Sequence, residues 1–172
     1  MSDRIFNILI LCTGNSARSI MTEAIINTLG AGRFLAHSAG SQPTGKVHPL
    51  ALAKLHSIGY PTAQLRSKSW DEFARPDAPQ MDFIITVCDN AAGEVCPLWP
   101  GQPISAHWGF PDPAAVQGSA AEQSAAFEQV FQRITQRVRL LLNLPLNSLD
   151  ALSIKRELQS IGQADAVAGA KA

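Results

Sequence analysis

Two short apolar runs, Ile8–Leu11 and Phe83–Cys88, constrain this chain more than any other feature. Each is nearly continuous, too short for a helix and bounded by turn formers. That is the pattern of a strand buried on both faces. Long stretches of helical period lie between and after them. A buried strand that returns only after a helix pairs in parallel, so the fold class is α/β: an open four-stranded parallel sheet with helices on both faces. Phe34–Ser38, closed by Ala39-Gly40, supplies one further strand, and Pro103–Trp108 supplies the fourth.

Helical spacing begins near Ser19, with Ile20, Met21, Ala24, Ile25 and Leu29 on one face and Gly30 as the stop. Leu50, Leu52, Ala53, Leu55 and Ile58 predict a second helix ending at Gly59. Phe127, Val130, Phe131, Ile134, Val138, Leu141 and Leu142 predict a long amphipathic third, broken by Pro145. Leu149, Leu152 and Leu158 mark a last helix, with Asn147 or Ser148 as its expected cap. Residues 1–145 thus read as one domain, 146–162 as an appended C-terminal helix, and 163–172 as a frayed Ala/Gly-rich tail.

Composition narrows the partners. Fourteen basic side chains balance fourteen acidic ones, which argues against nucleic acid held by broad phosphate attraction and against a polybasic membrane anchor. No apolar run approaches the ~20 residues of a membrane span. Arg4 followed by Ile5–Leu11 faintly imitates a signal peptide. Asn7 interrupts that run, however, and Cys12-Thr13-Gly14-Asn15 follows where a small-residue cleavage site belongs. Three cysteines are too few for a secreted disulfide framework. The expected compartment is the cytoplasm.

The chemistry concentrates where the first strand ends. Cys12 and Arg18 enclose Thr13, Gly14, Asn15, Ser16 and Ala17, after a strand and before a helix. In an open parallel sheet that is where ligands bind. Such a loop turns backbone N–H groups inward around a tetrahedral oxyanion, and the helix N-terminus and the Arg18 fork add positive charge. The same field is expected to lower the Cys12 thiol pKa. Ser19 is placed to donate to the thiolate, and Asn15 to take the left-handed backbone the turn needs. A nucleotide-binding loop does not fit, since no Gly-Lys-Ser or Gly-Lys-Thr follows. No metal site is expected either. The cysteines lack paired spacing, and His37, His48, His56 and His107 form no ligand pair.

The run Leu11–Ser19 resembles the active loop of the low-molecular-weight protein tyrosine phosphatase fold, and most closely that of arsenate reductases of the thioredoxin-coupled type. Thr86-Val87-Cys88-Asp89-Asn90 continuing to Val95-Cys96-Pro97, and His107-Trp108-Gly109-Phe110-Pro111-Asp112-Pro113, carry the same resemblance. It implies that Cys12 attacks arsenate and Asp112 acts as general acid. Cys88 then displaces arsenite by forming a disulfide with Cys12, and Cys96 relays that disulfide outward. No tightly bound cofactor is implied. Electrons come from a thioredoxin-like protein, with glutaredoxin or glutathione as the alternative, and phosphate or sulfate are possible competing anions. Two thiols beyond the nucleophile agree with reduction, which must deliver two electrons. Ala17 and Ile20 stand where the phosphatases usually have a second loop cysteine and a proline. Pro113-Ala114-Ala115-Val116 follow the acid where those enzymes carry aromatic residues. Some relatives hold potassium near the loop with an acidic residue. Here Lys68 falls near that position, where its ammonium is expected to support Asn15, Glu23 and Ser38 without the ion. Two alternatives stay open: a phosphatase for small or aryl phosphate esters, and a non-enzymatic oxyanion or redox sensor.

Overall fold

The computed structural model describes residues 4–88, 99 and 101–163. Four strands, β1 (Phe6–Leu11), β2 (Phe34–Ala39), β3 (Phe83–Thr86) and β4 (Ile104–His107), form one sheet in the order β2-β1-β3-β4. Every neighbouring pair is parallel, with Leu11 opposite both Ala39 and Thr86. The helices described are α1 (Arg18–Leu29), α2 (Pro49–Ser57), α3 (Ala120–Leu142) and α4 (Ala151–Gly162).

The pleat sorts the side chains between two cores. Ile8, Ile10, Phe83 and Ile85 join residues from all four α-helices in the larger one. Leu9, Leu11 and Ile84 face the other way, against Phe73 and Met81, with Trp70 and Trp99 packed alongside. Among the described residues the short 3-10 turn Trp70–Phe73 is the helical element on that second face. The two central strands are buried on both sides, which is why their sequence runs carry no polar alternation.

Edge strand β2 is guarded by one side chain. Asn27 of α1 accepts from the Ala36 N–H and donates to the Ala36 carbonyl, occupying ladder groups that another strand would otherwise take. At the opposite edge α4 packs beside β4. Ile154, Leu158 and Ile161 enter the larger core. Trp108, fully buried, donates its indole N–H to the Leu158 carbonyl at 2.9 Å. Gly162 lies so close that a Cβ there would meet the His107 carbonyl oxygen at 2.2 Å.

Two details differ from expectation. The cap of α4 is Asp150, whose carboxylate accepts from the Ser153 N–H, while Asn147 and Ser148 form a separate 3-10 turn before it. β3 ends at Thr86 rather than Cys88, although the Val87 N–H still donates to the Leu11 carbonyl at 2.9 Å and the Val87 carbonyl accepts from the Phe110 N–H at 3.1 Å. Among the described residues no helix is long and apolar enough to cross a membrane, and no cluster of metal-ligating side chains occurs. Cys96 and, apart from Gln163, the expected tail lie outside the described residues.

Candidate active site

The loop between β1 and α1 is held from behind by its own carbonyl groups. Those of Thr13, Gly14 and Ser16 accept from the N–H groups of Gln42, Thr44 and His48, at 3.0, 3.0 and 2.8 Å. Ser67 Oγ adds a second bond to the Gly14 carbonyl. In a trans peptide the C=O and N–H point oppositely, so the N–H groups of Gly14, Asn15 and Ala17 turn toward the loop interior. Ala17 precedes α1 without a side-chain cap, which leaves first-turn N–H groups facing the same space. Such a cradle of N–H groups can receive a compact anion.

Asn15 has φ of 45° and is fully buried. Its amide donates to Ser19 Oγ at 2.8 Å and Ser38 Oγ at 3.0 Å, and its carbonyl accepts from the Lys68 N–H at 2.9 Å. Ser38 in turn donates to Glu23, and the Lys68 ammonium stands 3.9 Å from the same carboxylate oxygen. Burial raises the Glu23 carboxyl pKa against the pull of Lys68 and Ser38, and burial lowers that of Lys68 against the pull of Glu23. Asn15, Glu23, Ser38 and Lys68 are thus one buried network beneath the loop. Ser19 accepts from Asn15, which leaves its own proton to donate.

Cys12 and Cys88, both buried, are joined by a hydrogen bond between their side chains. The Cys12 thiol corrects the expectation drawn from the loop's field: its pKa is held above the ordinary range. The foremost cause is the hydrogen bond with Cys88, followed by burial, while Arg18 and the Gly14 N–H pull it down. Two sulfurs that share a proton titrate as a pair, so the proton must leave before either becomes a free thiolate. The Thr13 N–H donates to Cys88 Sγ at 3.4 Å, and the Thr13 hydroxyl lies 3.8 Å from the same sulfur, placed to donate once Cys88 is a thiolate.

Arg18 donates to the Phe110 carbonyl at 3.0 Å and lies 3.7 Å from Asp112. The other Asp112 oxygen caps the Pro113–Ala115 turn by accepting from Ala114 N–H at 3.0 Å. The acid is thereby fixed on the rim beside the arginine. Beyond it the turn presents Ala114 and Ala115 to solvent, with no aromatic wall.

Sequence reasoning missed the backing of the loop. Gly40 is its tightest point: a Cβ there would lie 2.3 Å from the Thr13 carbonyl oxygen and 2.5 Å from that of Cys12. Both are backbone atoms that cannot swing aside. Gly40→Ala is therefore expected to cost ~1–3 kcal/mol, lowering the melting temperature by roughly 4–10 °C. It should also weaken phosphate binding measured by calorimetry. Unchanged melting and binding would show that the loop can yield there.

The family model described as low molecular weight phosphotyrosine protein phosphatase matches residues 7–159. The chain belongs to this family. An arsenate reductase of Halalkalibacterium halodurans is 35% identical to it, over 75% of this chain and 89% of that protein. An arsenate reductase of Bacillus subtilis is 33% identical over the same shares. A solved arsenate reductase in its oxidized state superposes with a TM-score of 0.62 at 27% identity, covering 77% of this chain and 93% of that one.

Proposed function

We propose that this chain reduces arsenate to arsenite with electrons drawn from a thioredoxin-like dithiol protein. The observation that carries the reading is the contact between the Cys12 and Cys88 sulfurs inside an oxyanion cradle. Hydrolysis of a phosphate ester does not consume a second thiol, which in a phosphatase would serve only as redox protection, whereas reduction through a protein thiol relay uses it in every turnover.

In the first step the Cys12 thiolate forms an S–As bond while one As–O bond breaks. The loop N–H groups and Arg18 hold the remaining oxygens, and Asp112 gives its proton to the departing oxygen, which leaves as water. In the second step the Cys88 thiolate, stabilised by Thr13, attacks Cys12 Sγ. The S–S bond forms, the S–As bond breaks, and its electron pair stays on arsenic, which falls from As(V) to As(III) and leaves as arsenite. Cys96 then attacks Cys88, freeing Cys12. The external dithiol reduces the resulting Cys88–Cys96 disulfide, with glutaredoxin or glutathione as the alternative donor. Phosphate and sulfate share the tetrahedral shape and compete for the loop. The small alanine side chains beyond Asp112 suit an inorganic anion better than an aryl ester, which would find no ring to stack on.

A single turnover on the fully reduced protein tests this. Arsenate is added without any partner, arsenite is measured, and free thiols are counted by mass spectrometry after alkylation. One arsenite per chain with two thiols lost is the expected result. Unchanged thiols with hydrolysis of an aryl phosphate would assign the site to phosphate esters, and no chemistry on either substrate would leave a sensor.

Lys68 carries a second expectation. Its ammonium sits against Glu23 below Asn15, where it does the electrostatic work of a bound cation. Activity is expected to be the same in potassium and sodium buffers. A large stimulation by potassium would remove this role from Lys68.

A further inference from the structure

Arg137 interrupts the apolar stripe of α3. It stands one turn after Ile134 and one before Leu141, positions that face the core, and it is only 3% exposed. A guanidinium keeps its charge in that setting, so its placement demands ligands. Arg137 Nη1 donates to the Gly109 carbonyl at 3.0 Å, and the guanidinium carbon lies 4.4 Å from the centre of the Phe110 ring. The Phe110 carbonyl takes the bond from Arg18, and Asp112 follows two residues later beside the same arginine. The Phe110 N–H is tied to Val87, next to Cys88.

We propose that Arg137 is a positioning residue for the acid loop, which through Gly109 and Phe110 sets where Asp112 meets the reacting anion. The contacts of Arg137 with Gly109 and Phe110 are to the acid loop and not to the nucleophile. Its contribution is to hold the backbone of residues 109–110 from the core side, by a charge-assisted bond to a carbonyl and by a cation resting on a ring. A neutral side chain of similar length fills the space but supplies neither contact. The acid loop would then be free to drift, and a displacement of about 1 Å in a positioned group can cost on the order of 10²-fold in rate. This role rests on the arsenate-reduction reading for its kinetic expression, though not for its structural one.

The test compares Arg137→Met, Arg137→Lys and, as a stability control from the same helix, Val138→Ala, which is fully buried. In arsenate reduction, Arg137→Met is expected to lower kcat by roughly 10–100-fold, with a much smaller change in KM. Arg137→Lys should recover part of the loss. Val138→Ala should lower the melting temperature without changing kcat.

The decisive comparison repeats Arg137→Met in an Asp112→Asn background. If Arg137 acts through the acid, the second substitution leaves it little to position, and its effect should nearly vanish. The same fold-loss in both backgrounds, or an unchanged kcat, would overturn the proposal. Hydrogen exchange of the peptide spanning 108–112 gives a readout that needs no activity: faster exchange in Arg137→Met than in Val138→Ala is expected. Should the wild-type protein make no arsenite, the reading of the reaction fails. Hydrogen exchange then still decides the role of Arg137, and equal exchange in the two variants would end it.

Discussion

Cys88→Ala protein is expected to accept arsenate onto Cys12 and release no arsenite. In a single turnover its arsenite yield should be at background and none of its thiols should be lost to a disulfide. The reason is electron count: a lone nucleophile forms an S–As bond without changing the oxidation state of arsenic. The second thiol must take its place on sulfur for the electron pair to fall to arsenic. The same substitution carries a pH signature of definite sign. Cys88 is the foremost influence raising the Cys12 pKa, through the hydrogen bond between the two thiols, and its charge acts in the same direction. Removing it leaves burial opposed by Arg18 and the Gly14 N–H. The pKa of Cys12 therefore falls, and its alkylation by iodoacetamide should reach half its maximal rate at a lower pH than in the wild type. Loss of turnover thus coincides with a more reactive Cys12, and an unchanged melting temperature separates this from unfolding, which would also expose the thiol and lower its pKa. Arsenite released at the wild-type rate by Cys88→Ala would eliminate the relay.

What the sequence made legible divides along a physical line. β1 and β3 were readable because a strand buried on both faces needs apolar residues at every position. Ser38 and Lys68 as supports of Asn15 came from the family resemblance and not from residue pattern, and the structure bonds both to it. The backing of the loop was not. Gln42, Thr44 and His48 act there through backbone N–H groups, which leave no mark on residue type, and Gly40 acts through the absence of a side chain. Asp150 was passed over as the α4 cap because Asn147 and Ser148 precede the same apolar run and are equally good capping types. The Cys12 pKa was misjudged for a different reason. Helix dipole and arginine are adjacent in sequence, but the foremost proton partner comes from a segment 76 residues away, and only the fold brings it there. Arg137 did leave a trace, a charge at a core-facing position of α3, but periodicity alone cannot name the carbonyl it reaches.

Asp112→Asn separates the chemistry of the rim from its architecture. One oxygen of Asp112 accepts from the Ala114 N–H, and asparagine caps such a turn as well as aspartate does. The other oxygen faces Arg18 at 3.7 Å from a carboxylate that is 42% exposed, a pair that contributes about 0–1 kcal/mol at most. The substitution should therefore leave the fold intact, with a change in stability within about 0.5 kcal/mol, as at other exposed positions. The amide, however, has no acidic proton to give. Without it an arsenate oxygen must depart as hydroxide rather than water, and positioned general acids are worth roughly 10²–10⁴-fold. The rate of arsenite formation is expected to drop by that factor while phosphate still binds the loop, because the cradle of N–H groups and Arg18 remain. Activity within about three-fold of wild type, far short of what general acid catalysis supplies, would mean that another group protonates the leaving oxygen. Asp112 would then be only the cap of the turn that follows it.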